Sequence, residues 1–207
     1  MIQGSEEWFA VRCGKVTASR VADVCAKTKT GWGASRVNYA AELICERLTG
    51  GVAERFKNDA MRWGTDTEPH ARAAYEFLTD NPVTEIAFVP HPLIDASGAS
   101  PDGNVGEDGM VEIKCPNTAT HINTLLKEEI DGKYLTQMQW QMACAGRAWC
   151  DFVSFDPRLP VELQMWVKRV PRDDERIAEL ESTVIEFLAE IDQTVASLRK
   201  RYMKDAA

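Results

Sequence analysis

Between Ser97 and Pro116 the chain reads S-G-A-S-P-D-G-N-V-G-E-D-G-M-V-E-I-K-C-P. No other stretch constrains its folding and chemistry so tightly. Within Met110 to Cys115, Val111, Ile113 and Cys115 alternate with Glu112 and Lys114. A strand sends alternate side chains to opposite faces. Val111 and Ile113 are therefore expected to face a core, and Glu112 and Lys114 to share the other face. The polar, glycine-containing run Asn104 to Gly109 reverses the chain and can lay Asp102 beside Glu112. Two carboxylates and an ammonium then converge on one spot. Hard cations such as Mg²⁺ take oxygen ligands of this kind, and a lysine beside the attacking water can help to activate it. Taken alone, the same residues also make an ordinary type I turn, Ser-Pro-Asp-Gly, followed by a solvated strand face whose ion pair is worth little. The rest of the chain has to decide between the two.

A chain of 207 residues, 44% hydrophobic and 27% charged, has the length and composition of one soluble globular domain with a substantial core. No Pro/Gly/Ser-rich linker or internal repeat divides it, so 1–207 is expected to be a single domain. The start lacks the basic and apolar regions of a signal peptide, and no apolar run is long enough to span a bilayer. Six cysteines without zinc-type spacing read as buried thiols of a reducing cytoplasm. The net charge of −8 argues against a nucleic-acid partner until its distribution is considered. From Trp8 to Arg36 six bases (Arg12, Lys15, Arg20, Lys27, Lys29, Arg36) face one acid, Asp23, whereas from Trp63 to Asn117 ten acids face two bases. Such a chain can grip phosphates with one part and hold metal with another.

Periodicity and capping signals predict a short helix from Thr17 to about Lys27, capped by Thr17 or Ser19, and a loop at Thr28 to Ala34 with an exposed Trp32. A second helix is expected from Ser35 to Thr49, ended by Gly50. Thr65-x-x-Glu68 matches a capping box, with Pro69 in the first turn of a helix to Thr79. Strands are expected at Val83–Val89, Ala96–Ser100, Met110–Cys115, Trp149–Phe155 and Val161–Val170, the last two as a hairpin. Further helices are expected at Thr118–Lys127 and Tyr134–Ala145, with Gln137 and Gln141 one turn apart on one face. A long final helix, 173–203, is expected behind Asp173, packed on the domain through one apolar stripe. The sum is an α/β fold: a central mixed β-sheet of about five strands flanked by helices.

Five blocks recur in a telling order: Trp8-x-x-x-Arg12-x-Gly14-x-x-Thr17-Ala18-Ser19, Trp63-Gly64-x-x-x-Glu68, Ser100-Pro101-Asp102-Gly103, Glu112-Ile113-Lys114-Cys115-Pro116, and Gln137-x-Gln139. Together they resemble the phage lambda exonuclease family, of the alkaline exonuclease and viral recombinase type, within the PD-(D/E)xK nucleases. The resemblance runs from about Trp8 to Pro157 and implies a restriction-endonuclease-like core. It makes Asp102, Glu112 and the Ile113 backbone carbonyl metal ligands, with Glu68 at the same site. Lys114 becomes the catalytic lysine and Gln137, rather than Gln139, the glutamine beside the active site. Arg12, Ser19 and Ser100 match a pocket for a 5′-phosphate. Lys29, with Lys27 nearby, matches a minor-groove contact, Met61 a wedge between terminal base pairs, and Trp8 and Trp32 can stack on bases. The resemblance further implies Mg²⁺ (Mn²⁺ substituting) as one or two ions, linear double-stranded DNA as substrate, a ring-shaped homotrimer, a strand-annealing partner protein, and a phage or prophage setting in a bacterial cytoplasm. Two other readings keep the fold: a DNA-end-binding module without catalysis, and an endonuclease or iron–sulfur nuclease, although no cysteine follows Cys150. His70, His91 and His121 are expected to be structural, and Cys115 a core thiol.

Overall fold

The computed structural model describes residues 1–52 and 59–203. The connection from Gly50 to Met61, polar and basic in sequence, lies for the most part outside these described residues. Helix α1 (Glu6–Arg12), which the sequence reading did not anticipate, starts behind Ser5, whose side chain accepts from the Trp8 N–H. Where one helix was expected from Thr17, the chain makes a short strand β1 (Val16–Thr17), a 3₁₀ turn (Ala18–Arg20) and a one-turn helix α2 (Val21–Val24). Thr17 gives no side-chain cap, because its backbone is committed to a strand pairing. The expected loop that follows is instead a small hairpin of β2 (Lys27–Thr28) and β3 (Gly31–Trp32). Helix α3 (Ala34–Thr49) begins after Gly33 rather than Ser35 and ends at Gly50, whose φ of 70° needs a residue that tolerates the left-handed region.

Helix α4 (Asp59–Thr79) corrects a second expectation. The described part of the helix already runs at Asp59, so Thr65 and Glu68 form no capping box and Pro69 lies in the helix interior. The Thr65 hydroxyl donates back to the Met61 carbonyl, 3.1 Å away, as threonine does within a helix.

The next segment, expected as one strand, splits into β4 (Val83–Thr84) and β5 (Val89–Pro90), which join different sheets. Strand β6 (Ser97–Ala99) pairs with β5 and, in parallel, with β1. The chain then bends at Asp102 into β7 (Gly103–Val105) and returns as β8 (Gly109–Lys114). Asp102 thus stands where the backbone passes from one sheet to the other. Helices α5 (Thr118–Lys127) and α6 (Gly132–Ala145) follow. Strands β9 (Trp149–Phe155) and β10 (Met165–Pro171) form the expected hairpin, with a 3₁₀ turn at Val161–Leu163 in place of the start of the second strand. Among the described residues the main sheet has five strands in the order β10-β9-β8-β7-β4, with β8 and β9 parallel and the other pairs antiparallel.

The alternation of β8 sorts its side chains as expected. Val111 and Ile113 join Val153 and Phe155 of β9 against Ala71 and Tyr75 of α4. Met110 faces the other way with Cys150 and Phe152, under Met138 and Met142 of α6. Helix α7 (Asp174–Tyr202) is capped by Asp173, whose side chain accepts from the Arg176 N–H. Its stripe Ile177, Leu180, Val184, Leu188, Ile191 and Val195 is buried on the rest of the chain, together with Phe187. Tyr202, at the end of the same apolar spacing in the sequence, is exposed. The cysteines are not all buried either: Cys144 and Cys150 are, Cys13, Cys25 and Cys115 are half-buried, and Cys45 is exposed.

Gly98 marks the tightest backbone approach near the site. A Cβ there would meet the Phe88 ring and stand 2.7 Å from the Val89 carbonyl oxygen. Gly98→Ala is expected to destabilise the fold by about 1–3 kcal/mol, the usual scale of overpacking. Thermal denaturation reads this as a midpoint lowered by about 2–4 °C per kcal/mol.

Candidate active site

The site forms at the junction that the Asp102 bend creates. Register places Gly103 opposite Val111, so Asp102 lies beside the Glu112–Ile113 segment. Its Oδ2 accepts from the Ile113 N–H at 2.6 Å. Glu112 is completely buried and points to the α6 side of the sheet. There the Gln137 amide donates to its Oε1 and the Gln141 amide to its Oε2, each at 2.6 Å. The Lys114 ammonium pairs with Glu112 as well and lies 5.2 Å from the centre of the Tyr134 ring. One turn of α6 thus holds both oxygens of one carboxylate, because residues four apart share a helix face. Gln139 points elsewhere: its amide donates to the Pro171 carbonyl and its oxygen accepts from the Asp173 N–H.

The electrostatics of this cluster are strongly coupled. Burial pushes the Asp102 carboxyl well above its ordinary range, and the charge of Glu112 adds to it, against the opposing pull of Lys114. Burial also raises Glu68, opposed by Arg72 and Lys114. Glu68 therefore shares the field of Glu112 and Lys114, although its carboxylate is bonded to Arg72 at 2.7 Å. For Lys114 burial favours the neutral amine, but Glu112 and Asp102 outweigh it and raise its pKa. Cys115 packs against the α4-side core and is pushed up to about 12 by burial and then by Glu68 and Asp102. It is a protonated thiol rather than a nucleophile.

The donor chemistry fits a hard divalent cation: Asp102, Glu112, the Ile113 carbonyl and Glu68 offer only oxygen. Besides burial, the charges of Glu112 and Glu68 contribute to the rise of Asp102, and a cation would offset that part of it. In their present arrangement Lys114 and the two glutamine amides occupy Glu112, and Arg72 occupies Glu68. Among the described residues no three His, Cys, Asp or Glu side chains stand together closely enough to hold a metal ion.

A second group lies two residues upstream of Asp102. Arg12 Nη1 donates to the Ser100 hydroxyl oxygen at 2.8 Å, and the Trp8 indole N–H donates to the same oxygen at 2.9 Å and to the Ala87 carbonyl at 2.8 Å. The Arg12 guanidinium stacks on the Trp8 ring at 3.9 Å. Trp8 thereby orients the arginine. Ser19 is exposed on the 3₁₀ turn after β1, and among the described residues no hydrogen bond joins it to Arg12 or Ser100.

The remaining candidates lie apart from this centre. Lys27 and Lys29 are exposed on the β2–β3 hairpin, where Lys27 Nζ and the Arg36 guanidinium cover the Trp32 ring at 4.9 and 3.8 Å. Met61 is 48% exposed on the first described turns of α4. His91 is buried against Trp140, and buried His121 bridges the Ser154 hydroxyl and the Leu163 carbonyl. His70 is exposed. Gln141 is the site contact that sequence reasoning missed as such. Its signal was present in the four-residue spacing from Gln137 on one helix face.

A family model described as the YqaJ-like viral recombinase domain matches residues 7–148. An alkaline exonuclease, LHK-Exo, from Laribacter hongkongensis is 54% identical in sequence. Its crystal structure superposes with a TM-score of 0.89 over 95% of this chain and 97% of that one. A structure of LHK-Exo in complex with dAMP gives a TM-score of 0.90 at the same identity and coverage. A phage-related exonuclease from Haemophilus somnus 129PT, 16% identical, shares the fold with a TM-score of 0.74 over 89% of this chain and 96% of that one. No curated protein matches the chain.

Proposed function

The chain belongs to the YqaJ-like viral recombinase domain family, and we propose that it is a metal-dependent 5′→3′ exonuclease on linear double-stranded DNA, preferring 5′-phosphorylated ends and leaving 3′ single-stranded tails. One observation carries this reading. The cluster of Asp102, Glu112 and Lys114 lies two residues along the chain from the Arg12–Ser100 pair, so a phosphate-binding group and a hydrolytic group share one junction. The 54% identity to an alkaline exonuclease supports the same reaction class.

The residues divide the work as follows. Arg12 offers a planar guanidinium to a terminal phosphate, with Ser100 as a hydroxyl donor and Trp8 holding the arginine in plane. An internal phosphodiester lacks the extra charge and oxygen that such a pocket selects. A divalent cation, Mg²⁺ or Mn²⁺ as one or two ions, held by Asp102, Glu112, the Ile113 carbonyl and Glu68, would supply acidified water and offset charge on the phosphate. Lys114 carries ammonium N–H donors that can orient the attacking water and hold developing negative charge. Gln137 fixes the Glu112 carboxylate. In the reaction a P–O bond forms to water and the P–O3′ bond of the second nucleotide's phosphate breaks, with the proton passing to the leaving oxygen. A 5′-mononucleotide departs and the new terminus again carries a 5′-phosphate, the group the Arg12 pocket recognises. Lys29 and Lys27 would contact the duplex, and Met61 would part its last base pairs. A homotrimeric ring around DNA and a strand-annealing partner, in a phage or prophage setting, complete the proposal.

Linear duplex labelled at either end tests it. Mononucleotides should appear from 5′-phosphorylated ends in Mg²⁺ and not in EDTA, and covalently closed circles should remain intact. Cutting of closed circles would favour an endonuclease instead. Arg12→Ala should lower the preference for 5′-phosphate over 5′-hydroxyl ends by about 10-fold or more, the scale of one charge-assisted bond to phosphate. An unchanged preference would remove Arg12 from the pocket.

A further inference from the structure

Two glutamines grip Glu112, and they are not equivalent. Both are buried, but Gln137 keeps 9% exposure whereas Gln141 has none. The Gln141 amide nitrogen donates to Glu112 Oε2 at 2.6 Å, while its carbonyl oxygen is buried without a hydrogen-bond partner. A buried amide with one orphaned end is a disfavoured arrangement. It persists where the other end has a strong charge-assisted bond to hold.

Lys114 adds a third contact to Glu112, on the oxygen that Gln137 also reaches, Oε1. Oε2 has Gln141 as its hydrogen-bond donor among the described residues. The carboxylate plane is therefore set by two amides a helical turn apart, one on each oxygen. If Gln141 let go, Oε2 would lose that donor and Glu112 would be held through Oε1 alone, by Gln137 and Lys114, on a last torsion that is soft for a glutamate.

We infer that Gln141 is a positioning residue: by holding Oε2 from the sealed side of α6, it presets the orientation in which Glu112 receives a divalent cation. Loss of a partner that orients a ligating group typically costs about 10–100-fold in metal affinity. The inference rests on the nuclease reading of the site and deepens it, because it concerns cation affinity rather than the identity of the substrate.

The test compares wild type with Gln141→Met and Gln141→Glu. Methionine has similar length and no amide donor, and glutamate places a second carboxylate against Glu112. Circular dichroism and thermal melts in EDTA first establish that each variant folds. Calorimetric titration with Ca²⁺, a non-catalytic divalent probe, then gives binding without turnover. Gln141→Met is expected to bind Ca²⁺ about 10–100-fold more weakly. It should need correspondingly more Mg²⁺ for half-maximal digestion, with the KM for DNA unchanged. Gln141→Glu should be impaired in the same sense. Folded Gln141→Met with wild-type Ca²⁺ affinity and Mg²⁺ dependence would overturn the inference. Wild-type protein that neither binds Ca²⁺ nor digests DNA would overturn the nuclease reading itself, so the two failures are distinguishable. If Gln141→Met proves unstable, Gln141→Asn, with the donor one methylene short, replaces it: weakened Ca²⁺ binding in a folded protein supports the inference and unaltered binding overturns it.

Discussion

Asp102→Asn is expected to abolish digestion of linear duplex while raising, rather than lowering, the thermal midpoint of the protein in EDTA. The two halves have one cause. Burial first, and then the charges of Glu112 and Glu68 against the opposing pull of Lys114, push the Asp102 carboxyl well above the ordinary range. For an acid whose folded pKa exceeds its unfolded one, the favourable contribution to stability belongs to the protonated form at low pH. It is lost as pH rises through the folded pKa. At neutral and alkaline pH the ionised Asp102 therefore strains the cation-free fold. Asparagine removes the charge and keeps an oxygen to accept from the Ile113 N–H, as Oδ2 does now at 2.6 Å. The gain should shrink as pH falls and the wild-type carboxyl becomes protonated. Activity should drop by about 10³-fold or more, since on the proposed reading Asp102 would hold the cation that offsets charge developing in the reaction. Melts in EDTA at several pH values, with nucleotide release in Mg²⁺, measure both. A midpoint that falls at pH 8, or digestion at the wild-type rate, would contradict the assignment. Function at the expense of stability is the common pattern at active sites.

Much of this site was legible because strand geometry is simple. Period-two alternation in Met110–Cys115 places Glu112 and Lys114 on one face and Val111 and Ile113 on the other, and the sheet keeps that partition. The Gln137 contact and the nearness of Arg12 to Ser100 came from a resemblance, and the geometry brings both pairs together. Ser19 was not legible in the same way. It stands on a 3₁₀ turn rather than in a helix, because the preceding Thr17 pairs with Gly98 across a parallel ladder, a contact between distant parts of the chain.

Other misses share that origin. Thr65-x-x-Glu68-Pro69 carries every local mark of a helix start, yet α4 is already helical at Asp59. Its packing of Ala71 and Tyr75 against the sheet overrides the local signal. The expected count of five central strands holds, but the membership does not. The segment around Ser97–Ala99 pairs in a separate sheet, and Gly103–Val105, taken as part of a reversing turn, supplies a central strand. The bend at Asp102 makes that exchange, which no local pattern announces. By contrast, α1 was locally marked by Ser5 before Glu6 and Glu7, a cap followed by acidic residues.

Asp151 offers the opposite experiment from Asp102. It lies level with Val111 on the neighbouring strand β9 and faces α4, away from the glutamine side. Its Oδ2 accepts from the Tyr75 hydroxyl at 2.8 Å, and Arg169 donates to Oδ1 at 2.8 Å and to Oδ2 at 2.9 Å. Burial first, and then the bond to Asp151, raises the Tyr75 pKa, so the phenol is held as a donor. Asp151→Ala leaves that hydroxyl buried without its acceptor. A fully buried pair broken in this way costs about 3–5 kcal/mol. Arg169 is 54% exposed and can turn to water, so the expected loss is smaller, about 2–3 kcal/mol. That corresponds to a midpoint lowered by about 5–10 °C. Asp151→Asn retains an acceptor for Tyr75 and should lose less. At 25 °C both variants should digest duplex at near the wild-type rate, because the clamp holds the helix to the sheet and touches no reacting atom. An Asp151→Ala protein that melts like wild type but no longer digests DNA would mean that this carboxylate belongs to the chemistry, and that the partition between the two faces of the sheet is wrong.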